Sequence, residues 1–272
     1  MDSRNLLMAI ALTLFAGLST GIGSALAFFT KQTNTRFLSA SLGFSAGVMI
    51  YVSMIEIFAK AKSALVEALG QAAGAWATVG AFLAGMVLMA AIDRLVPSSD
   101  NPHEIRRLEE MTEGNRHAAS NGRLMRMGMF TAMAIAVHNF PEGLATFASA
   151  LRDPALGTAV AVAVAIHNIP EGIAVSVPVY FATGDRRRAF LLSFLSGLSE
   201  PAGALIGYVL LFRFFNDVVF GVLFAVVAGI MVFISLDELL PTAREYGQPH
   251  LSIYGLIAGM AVMAASLLLL MR

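Results

Sequence analysis

One six-residue pattern, His-Asn-x-Pro-Glu-Gly, occurs twice in this chain, at residues 138–143 and again at residues 167–172. Each copy lies in the middle of a long apolar stretch. A His and a Glu four residues apart project from the same face of a helix. Because imidazole and carboxylate groups are good ligands for divalent metals, the two copies predict a metal site at membrane depth.

The composition places both copies in a membrane protein. Hydrophobic residues make up 57% of the chain and charged residues only 13%. Apolar stretches of roughly 20 residues, long enough to cross about 30 Å of hydrocarbon, recur along nearly the whole length. They lack the alternation of barrel strands, which predicts an all-α bundle. We predict eight spans in a single domain over residues 1–272: 6–29, 38–59, 73–96, 124–150, 155–182, 188–211, 217–240 and 250–271.

Basic residues are distributed unevenly between the two sides of the predicted bundle. Cytoplasmic loops of membrane proteins carry an excess of Lys and Arg, so the distribution predicts both termini outside and the polar loop at 97–123 in the cytoplasm. The net charge of zero gives no support to a nucleic-acid partner. In this topology the inner side holds Lys31, Arg36, Arg106, Arg107, Arg116, Arg123, Arg186, Arg187, Arg188 and Arg244, and the outer side Arg4, Lys60, Lys62, Arg152, Arg213 and Arg272.

Two internal repeats organise the chain. The copies of the motif are offset by 167 − 138 = 29 positions, and the short loop at 152–154 between their spans requires the two helices to run antiparallel. A fainter repeat relates residues 46–56 to residues 228–238, which equates spans two and seven in opposite directions. Inverted repeats with polar residues at mid-depth are typical of secondary transporters.

Three carboxylates are predicted near the bilayer centre. Both His residues of the motif lie close to the middle of their spans, with Glu142 and Glu171 one turn away, and Glu200 lies near the middle of span six. Each ionised group there costs about 2.5–3.5 kcal/mol, so three of them would cost roughly 8–10 kcal/mol. They therefore need cations or protons as partners, and a dehydrated divalent metal would meet that need.

Prolines accompany these carboxylates. Pro141 and Pro170 lack the N–H that a helix would bond to the carbonyls of Val137 and Ile166, so we expect local unwinding that exposes backbone oxygens to a cation. Pro201 is expected to act in the same way beside Glu200. The structural alternative is a simple packing kink.

The repeated motif and its setting resemble the ZIP (Zrt/Irt-like) family of divalent metal transporters, and within it the bacterial zinc-uptake branch. The resemblance covers essentially the whole chain and implies a 3+2+3 arrangement of eight spans in the bacterial inner membrane. It implies uptake of zinc as cargo, with no resident cofactor. Imidazole and carboxylate ligands also suit iron, cobalt, nickel and, less readily, manganese, and cadmium is a further candidate substrate. It implies a primary site of His138, Glu142, His167 and Glu171, and a second site completed by Asn139, Asn168 and Glu200.

Carboxylates outside the motif are candidates for the path of the ion. Glu56, near the predicted outer end of span two, would recruit metal at the entrance. Asp237 and Glu238, near the inner end of span seven, would do so at the exit. The alternative is that all three are interfacial carboxylates without a transport role. His103 and His117 in the polar loop are interpreted as solvated side chains.

Other functions share the same ligands. A divalent cation channel is an open alternative, because sequence does not separate channels from carriers. An intramembrane metalloenzyme is a weaker one, because the chain lacks the His-Glu-x-x-His spacing of zinc proteases. The chain has no cysteine, which excludes thiolate ligands and disulfides. Faces of small residues permit a homodimer in the bilayer without requiring one.

Overall fold

The computed structural model describes residues 3–29, 35–95, 132, 136, 139–140, 142–211, 216–245 and 249–270, and every regular element within them is a helix. We number the helices by predicted span, so that an interrupted rod keeps one label. They are α1 (Ser3–Phe29), α2 (Thr35–Tyr51, Val52–Ile57 and Phe58–Leu69), α3 (Gln71–Leu95), α4 (142–152), α5 (Pro154–Thr183), α6 (Arg186–Gly197 and Ser199–Leu211), α7 (Asp217–Ile234, Ser235–Leu239 and Leu240–Glu245) and α8 (Pro249–Leu270).

Seven helices among the described residues are long and apolar enough to cross a membrane. They correspond to predicted spans one to three and five to eight. The predicted span 124–150 lies largely outside the described residues. The prediction of an all-α, multi-pass membrane protein is confirmed.

Helix α2 is longer than predicted. It was expected to end at residue 59, but it continues to Leu69, where Gly70 at φ 85° ends it. The charges of Lys60 and Lys62 suggested a loop that follows the span. Both lysines are instead exposed on one face of the helix, and Ala61 and Leu65 on the other face are buried. The prediction that Glu56 lies near a helix end is therefore wrong, since it lies well inside a candidate span of Leu42–Leu69.

Helices α2 and α7 each contain a π-helical segment, Val52–Ile57 in one and Ser235–Leu239 in the other. The fainter repeat has an offset of 228 − 46 = 182 positions, which places residues 52–57 opposite residues 234–239. The two π-helical segments thus occupy equivalent positions in the fainter repeat. Single π-helical turns inside α-helices are frequent at functional sites.

The helices pack in two groups. The first consists of α1, α4, α5 and α6, where α5 packs along α1, both contact α6, and Gly143 of α4 lies against Glu200 of α6. In the second, α2 packs along α8, and α7 packs against α2 and α3. The groups are joined by contacts of α5 with α2 and of α4 with α7, the latter through the Arg152–Asp217 ion pair. The largest buried cluster lies along α2 and α7 and includes Met49, Phe224 and Ile234.

The turn between α4 and α5 is as short as the sequence predicts. Asp153 alone separates the two helices, and its carboxylate accepts hydrogen bonds from the backbone N–H groups of Ala155 (2.9 Å) and Leu156 (3.5 Å). Pro154 begins α5, where a missing N–H costs nothing. The tight turn folds α5 back along α4, with Gly157 packed on Ala150. The turn thereby sets Glu142 of the first copy and Glu171 of the second copy on neighbouring helices.

Candidate metal site

The second copy of the motif lies at the centre of α5, since residues 167–172 fall midway along Pro154–Thr183. The expected unwinding at Pro170 is wrong, because α5 is helical without interruption through this residue. A proline removes one backbone hydrogen bond, and packing of α5 against both α1 and α2 supports the remaining turns.

The expected break beside Glu200 is confirmed. Helix α6 is interrupted at Leu198, whose ψ of −8° departs from helical geometry, and resumes at Ser199. Pro201 supplies the reason, because it has no N–H to bond the carbonyl of Gly197. Glu200 therefore lies in the first turn of a new helical segment in the middle of span six.

Three carboxylate side chains from three helices are buried around the motif. The relative exposure is 1% for Glu142 on α4, 0% for Glu171 on α5 and 0% for Glu200 on α6. The charges of the first two lie close enough to Glu200 to repel its carboxylate. None of the described Lys or Arg side chains is buried. The cluster thus has the excess of negative charge that the sequence predicts.

The two asparagines of the motif make related contacts. The Asn168 amide nitrogen donates to the carbonyl oxygen of Ala16 at 3.0 Å and also to Glu200 Oε1. The Asn139 amide nitrogen donates to the carbonyl oxygen of Ser196 at 3.4 Å. Both side chains are completely buried. Each asparagine is therefore oriented by a neighbouring helix, α1 in one case and α6 in the other.

Several buried oxygen atoms around these asparagines accept no hydrogen bond from the described residues. Asn139 Oδ1, Asn168 Oδ1 and Glu200 Oε2 have no hydrogen-bond partner among the described residues. Buried polar atoms in proteins normally have one, and an acceptor without a donor is an oxygen that a cation could contact. This donor set of carboxylate and amide oxygens suits a divalent metal.

The glycine that ends each copy of the motif brings two helices together. A β-carbon on Gly143 would overlap the backbone of Glu200, and one on Gly172 would overlap the carbonyl oxygen of Thr20. The absence of a side chain therefore lets α6 approach α4, and α1 approach α5, at the level of the carboxylates. Close approach of helices at small residues is typical of membrane bundles.

Part of the predicted ligand set cannot be placed. His138 and Pro141 lie outside the described residues, as does the loop at 97–123 with His103 and His117. The backbone of His167 is in α5, but its side chain is not described. Among the described side chains, no group of three or more His, Asp or Glu is close enough to hold a metal ion. The four-ligand primary site stays a prediction.

The candidate entrance and exit carboxylates lie in the two π-helical segments. Glu56 is partly buried in the segment of α2, and Asp237 is exposed in that of α7. The side chain of Glu238 is not described. Ser53, one turn before Glu56, is fully buried and its hydroxyl has no described partner. The transport roles of these carboxylates stay predictions.

The backbone contacts that orient the asparagines are not evident from the repeated motif alone. A signal for them is present, because residues 17–23 read Gly-x-x-Thr-x-x-Gly and residues 197–203 read Gly-x-x-Glu-x-x-Gly. The two patterns are offset by 197 − 17 = 180 positions, close to the offset of 182 in the fainter repeat. They relate α1 to α6 and continue the inverted repeat through the motif helices.

Comparison with known proteins agrees with this architecture. A family model described as ZIP zinc transporter matches residues 95–267. The chain is 63% identical over 266 residues to the zinc transporter ZupT of Lysinibacillus sphaericus, with 98% of each chain covered. It is 61% identical over 278 residues to ZupT of Clostridium perfringens, with 98% of each covered. For ZupT of Nitratidesulfovibrio vulgaris the identity is 62% over 274 residues, with 99% of each covered.

Proposed function

The chain belongs to the ZIP zinc transporter family, and on that premise we propose that it carries zinc across the bacterial inner membrane into the cytoplasm. The ion would bind at the level of the repeated motif, held by His138, by Glu142 of α4, and by His167 and Glu171 of α5. Asn139, Asn168 and Glu200 would provide further oxygen ligands. In this account zinc is cargo, and the protein is a transporter and not an enzyme.

The observation that carries the proposal is the burial of three carboxylates with no buried basic side chain among the described residues. Glu142, Glu171 and Glu200 come from three different helices, and the first two are each close enough to Glu200 to repel its carboxylate. Such a cluster is unfavourable at the bilayer centre unless cations or protons neutralise it. A divalent cation that binds to these carboxylates would neutralise them, and its later release would make the cluster a transport site.

The proposed ligands are the imidazole nitrogens of two histidines and the carboxylate and amide oxygens of Glu and Asn, and the chain has no cysteine to supply a thiolate. Imidazole and carboxylate groups accept zinc, iron, cobalt and, less readily, manganese. We therefore expect zinc as the preferred substrate, with iron, cobalt, manganese and cadmium as competitors. The order among the competitors is a matter for measurement, since ligand type alone does not set it.

The two packing groups support a mechanism of alternating access. The motif helices belong to the group of α1, α4, α5 and α6, whereas Glu56 and Asp237 belong to the group of α2, α3, α7 and α8. Ala145 and Ala148 of α4, with Ala159 and Ala163 of α5, pack in the cluster that α2 and α7 form. A face of small side chains suits sliding of one group on the other. We propose that this movement opens the site first outside, near Glu56, and then inside, near Asp237 and Glu238.

The proposed topology has both termini outside and the 97–123 loop in the cytoplasm. Arg186, Arg187 and Arg188 at the start of α6 would then be cytoplasmic, as the positive-inside rule requires. In this orientation the Arg152–Asp217 ion pair (2.8 Å), at the turn between α4 and α5, faces the outside.

The experiment that tests the proposal is uptake of radioactive zinc into liposomes that contain the purified protein. We expect saturable uptake by the native chain and at least a tenfold lower rate in Glu171→Gln, which keeps the shape of the side chain but removes its charge. Glu67→Gln is the matched control, because Glu67 is an exposed carboxylate on α2. Competing metals added at fixed zinc concentration rank the substrates.

Two results would contradict the proposal. Uptake that is the same in Glu171→Gln and in the native chain would mean that the ion passes elsewhere. Uptake that does not saturate with zinc concentration would favour a channel.

A further inference from the structure

Helices α1 and α6 meet at a point of reciprocal contact. A β-carbon on Gly17 would lie 2.6 Å from the carbonyl oxygen of Gly197, and a β-carbon on Gly197 would lie 2.6 Å from the carbonyl oxygen of Gly17. Equal distances in both directions are what a twofold axis between these residues produces. The axis relates residue n of α1 to residue n + 180 of α6, as in the glycine patterns.

The contacts of the motif helices obey the same axis. Gly143 of α4 lies against Glu200, and its counterpart Gly172 of α5 lies against Thr20, which is residue 200 − 180. Gly203 of α6 lies against Phe140, and its counterpart Gly23 lies against Ile169. The axis therefore exchanges α4 with α5 and α1 with α6.

The hydrogen bonds of the asparagines follow the axis as well. Asn168 donates to the carbonyl of Ala16, and Asn139 donates to the carbonyl of Ser196, which is residue 16 + 180. One bond lacks its counterpart. Asn168 also donates to Glu200, so the symmetry predicts a contact of Asn139 with the side chain of Thr20.

Thr20 is too short to complete this contact. Its side chain ends two atoms beyond Cα, whereas the carboxylate oxygens of Glu200 lie four atoms beyond it. Thr20 Oγ1 and Asn139 Oδ1 are both buried, and neither has a hydrogen-bond partner among the described residues. The two halves of the site thus differ, with a bonded carboxylate in one and two neutral oxygens in the other.

The hydroxyl of Thr20 lacks the hydrogen bond to its own helix that Thr13 makes, an absence that it shares with Thr146 among the described threonines. A helical threonine usually donates to the carbonyl four residues earlier, as Thr13 does to Ala9 at 2.9 Å. For Thr20 that carbonyl belongs to Ala16, which already accepts from Asn168 at 3.0 Å and from Ser19 at 2.5 Å. The carbonyl oxygen of Ala16 is therefore occupied by Asn168 and Ser19. The Thr20 hydroxyl is left available to another ligand.

We propose that Thr20 is a further residue of the cation site, and that its hydroxyl and Asn139 Oδ1 form a neutral oxygen subsite for the transported cation opposite Glu200 and Asn168. The proposal rests on the proposed function, because it takes the cation to be the substrate. The cation would dissociate more readily from the neutral oxygens of Thr20 and Asn139 than from the charged side of the site, which Glu200 provides. Thr20 would then adjust affinity without adding a fourth buried carboxylate.

The test measures equilibrium binding of radioactive zinc to the purified full-length protein in lipid nanodiscs, alongside uptake into liposomes. Thr20→Val keeps the shape and removes the hydroxyl, and we expect binding about two- to tenfold weaker, the range of one lost polar contact. Thr20→Ser keeps the hydroxyl and should bind as the native chain does. Thr13→Val is the matched control, because that buried hydroxyl on the same helix is bonded to its own backbone.

A substitution that adds negative charge at position 20 provides a second arm of the test. Thr20→Asp places a carboxylate in the subsite and should bind zinc at least tenfold more tightly while releasing it more slowly in uptake. Zinc affinity unchanged in both Thr20→Val and Thr20→Asp would overturn the proposal, as would equal weakening in Thr20→Val and Thr20→Ser. Normal zinc binding by the native chain without uptake would instead contradict the transport function and leave the subsite to be judged from the binding data.

Discussion

The amide of Asn168 joins two helices at the candidate site, because it donates both to the carboxylate of Glu200 on α6 and to the carbonyl of Ala16 on α1. The amide nitrogen is thereby fully used and the amide oxygen remains without a described partner. A residue that orients one carboxylate and offers its own oxygen has two roles, and substitution can separate them.

Asn168→Asp removes the donor and sets two carboxylates side by side. We expect the metal-free protein to lose about 1–3 kcal/mol of stability, because a buried acceptor loses its partner and gains a like charge. Zinc should restore the loss and bind more tightly than to the native chain. Thermal unfolding with and without zinc measures both effects, and Asn216→Asp is the control, since Asn216 caps α7 at an exposed position where Asp serves equally. Equal destabilisation with and without zinc would contradict the prediction.

The motif glycines should tolerate no side chain. Gly143→Ala and Gly172→Ala place a methyl group inside the backbone of Glu200 or of Thr20, so helices must separate at the site. Overpacking of this kind costs about 1–3 kcal/mol, and we expect zinc uptake to be lost in both variants. Gly80→Ala on α3 is the control, because a β-carbon there meets nothing within 4 Å. Uptake that survives in Gly143→Ala would show that the close approach is dispensable.

The alanine face between the packing groups should be needed for movement but not for binding. Ala163 of α5 is fully buried in the cluster that also contains Ala46 and Met49 of α2. Ala163→Leu adds bulk there, so we expect uptake to fall at least tenfold while equilibrium zinc binding stays within about twofold. Ala73→Leu at an exposed position of α3 serves as the control. Parallel loss of binding and uptake would mean that the substitution acts on the site itself.

The two π-helical segments offer a test of alternating access. Ser53 and Ser235 are both buried and are related by 235 − 53 = 182 positions, the offset of the fainter repeat. The chain has no cysteine of its own, so Ser53→Cys and Ser235→Cys introduce single reporters. We expect zinc to change their reactivity toward a water-soluble thiol reagent in opposite directions. Simultaneous access at both positions would contradict a carrier and favour a channel.

Much of this architecture could be predicted from local sequence. Apolar length predicted seven spans that the described residues contain, and the duplicated motif pointed to Glu142 and Glu171, which are buried. The break at Pro201 followed from its missing N–H. These features depend on one segment at a time, which is why the sequence alone was sufficient.

Features that depend on packing could not be predicted in the same way. Helix α2 passes through Lys60 and Lys62 because its other face is buried by neighbours. Helix α5 stays helical at Pro170 because α1 and α2 support it. The place of Thr20 opposite Glu200 became visible only when the reciprocal contact of Gly17 and Gly197 fixed the axis.

The most direct test of the account is the position of zinc itself. Crystals of the full chain grown with zinc, measured on both sides of the zinc absorption edge, locate the metal by its anomalous scattering. The account predicts density between α4 and α5, within coordination distance of Glu142 and Glu171, and its loss in a His138→Ala, His167→Ala double variant. Density found only at the 97–123 loop or beside Glu56, and unchanged in the double variant, would contradict the claim that the repeated motif holds the transported ion.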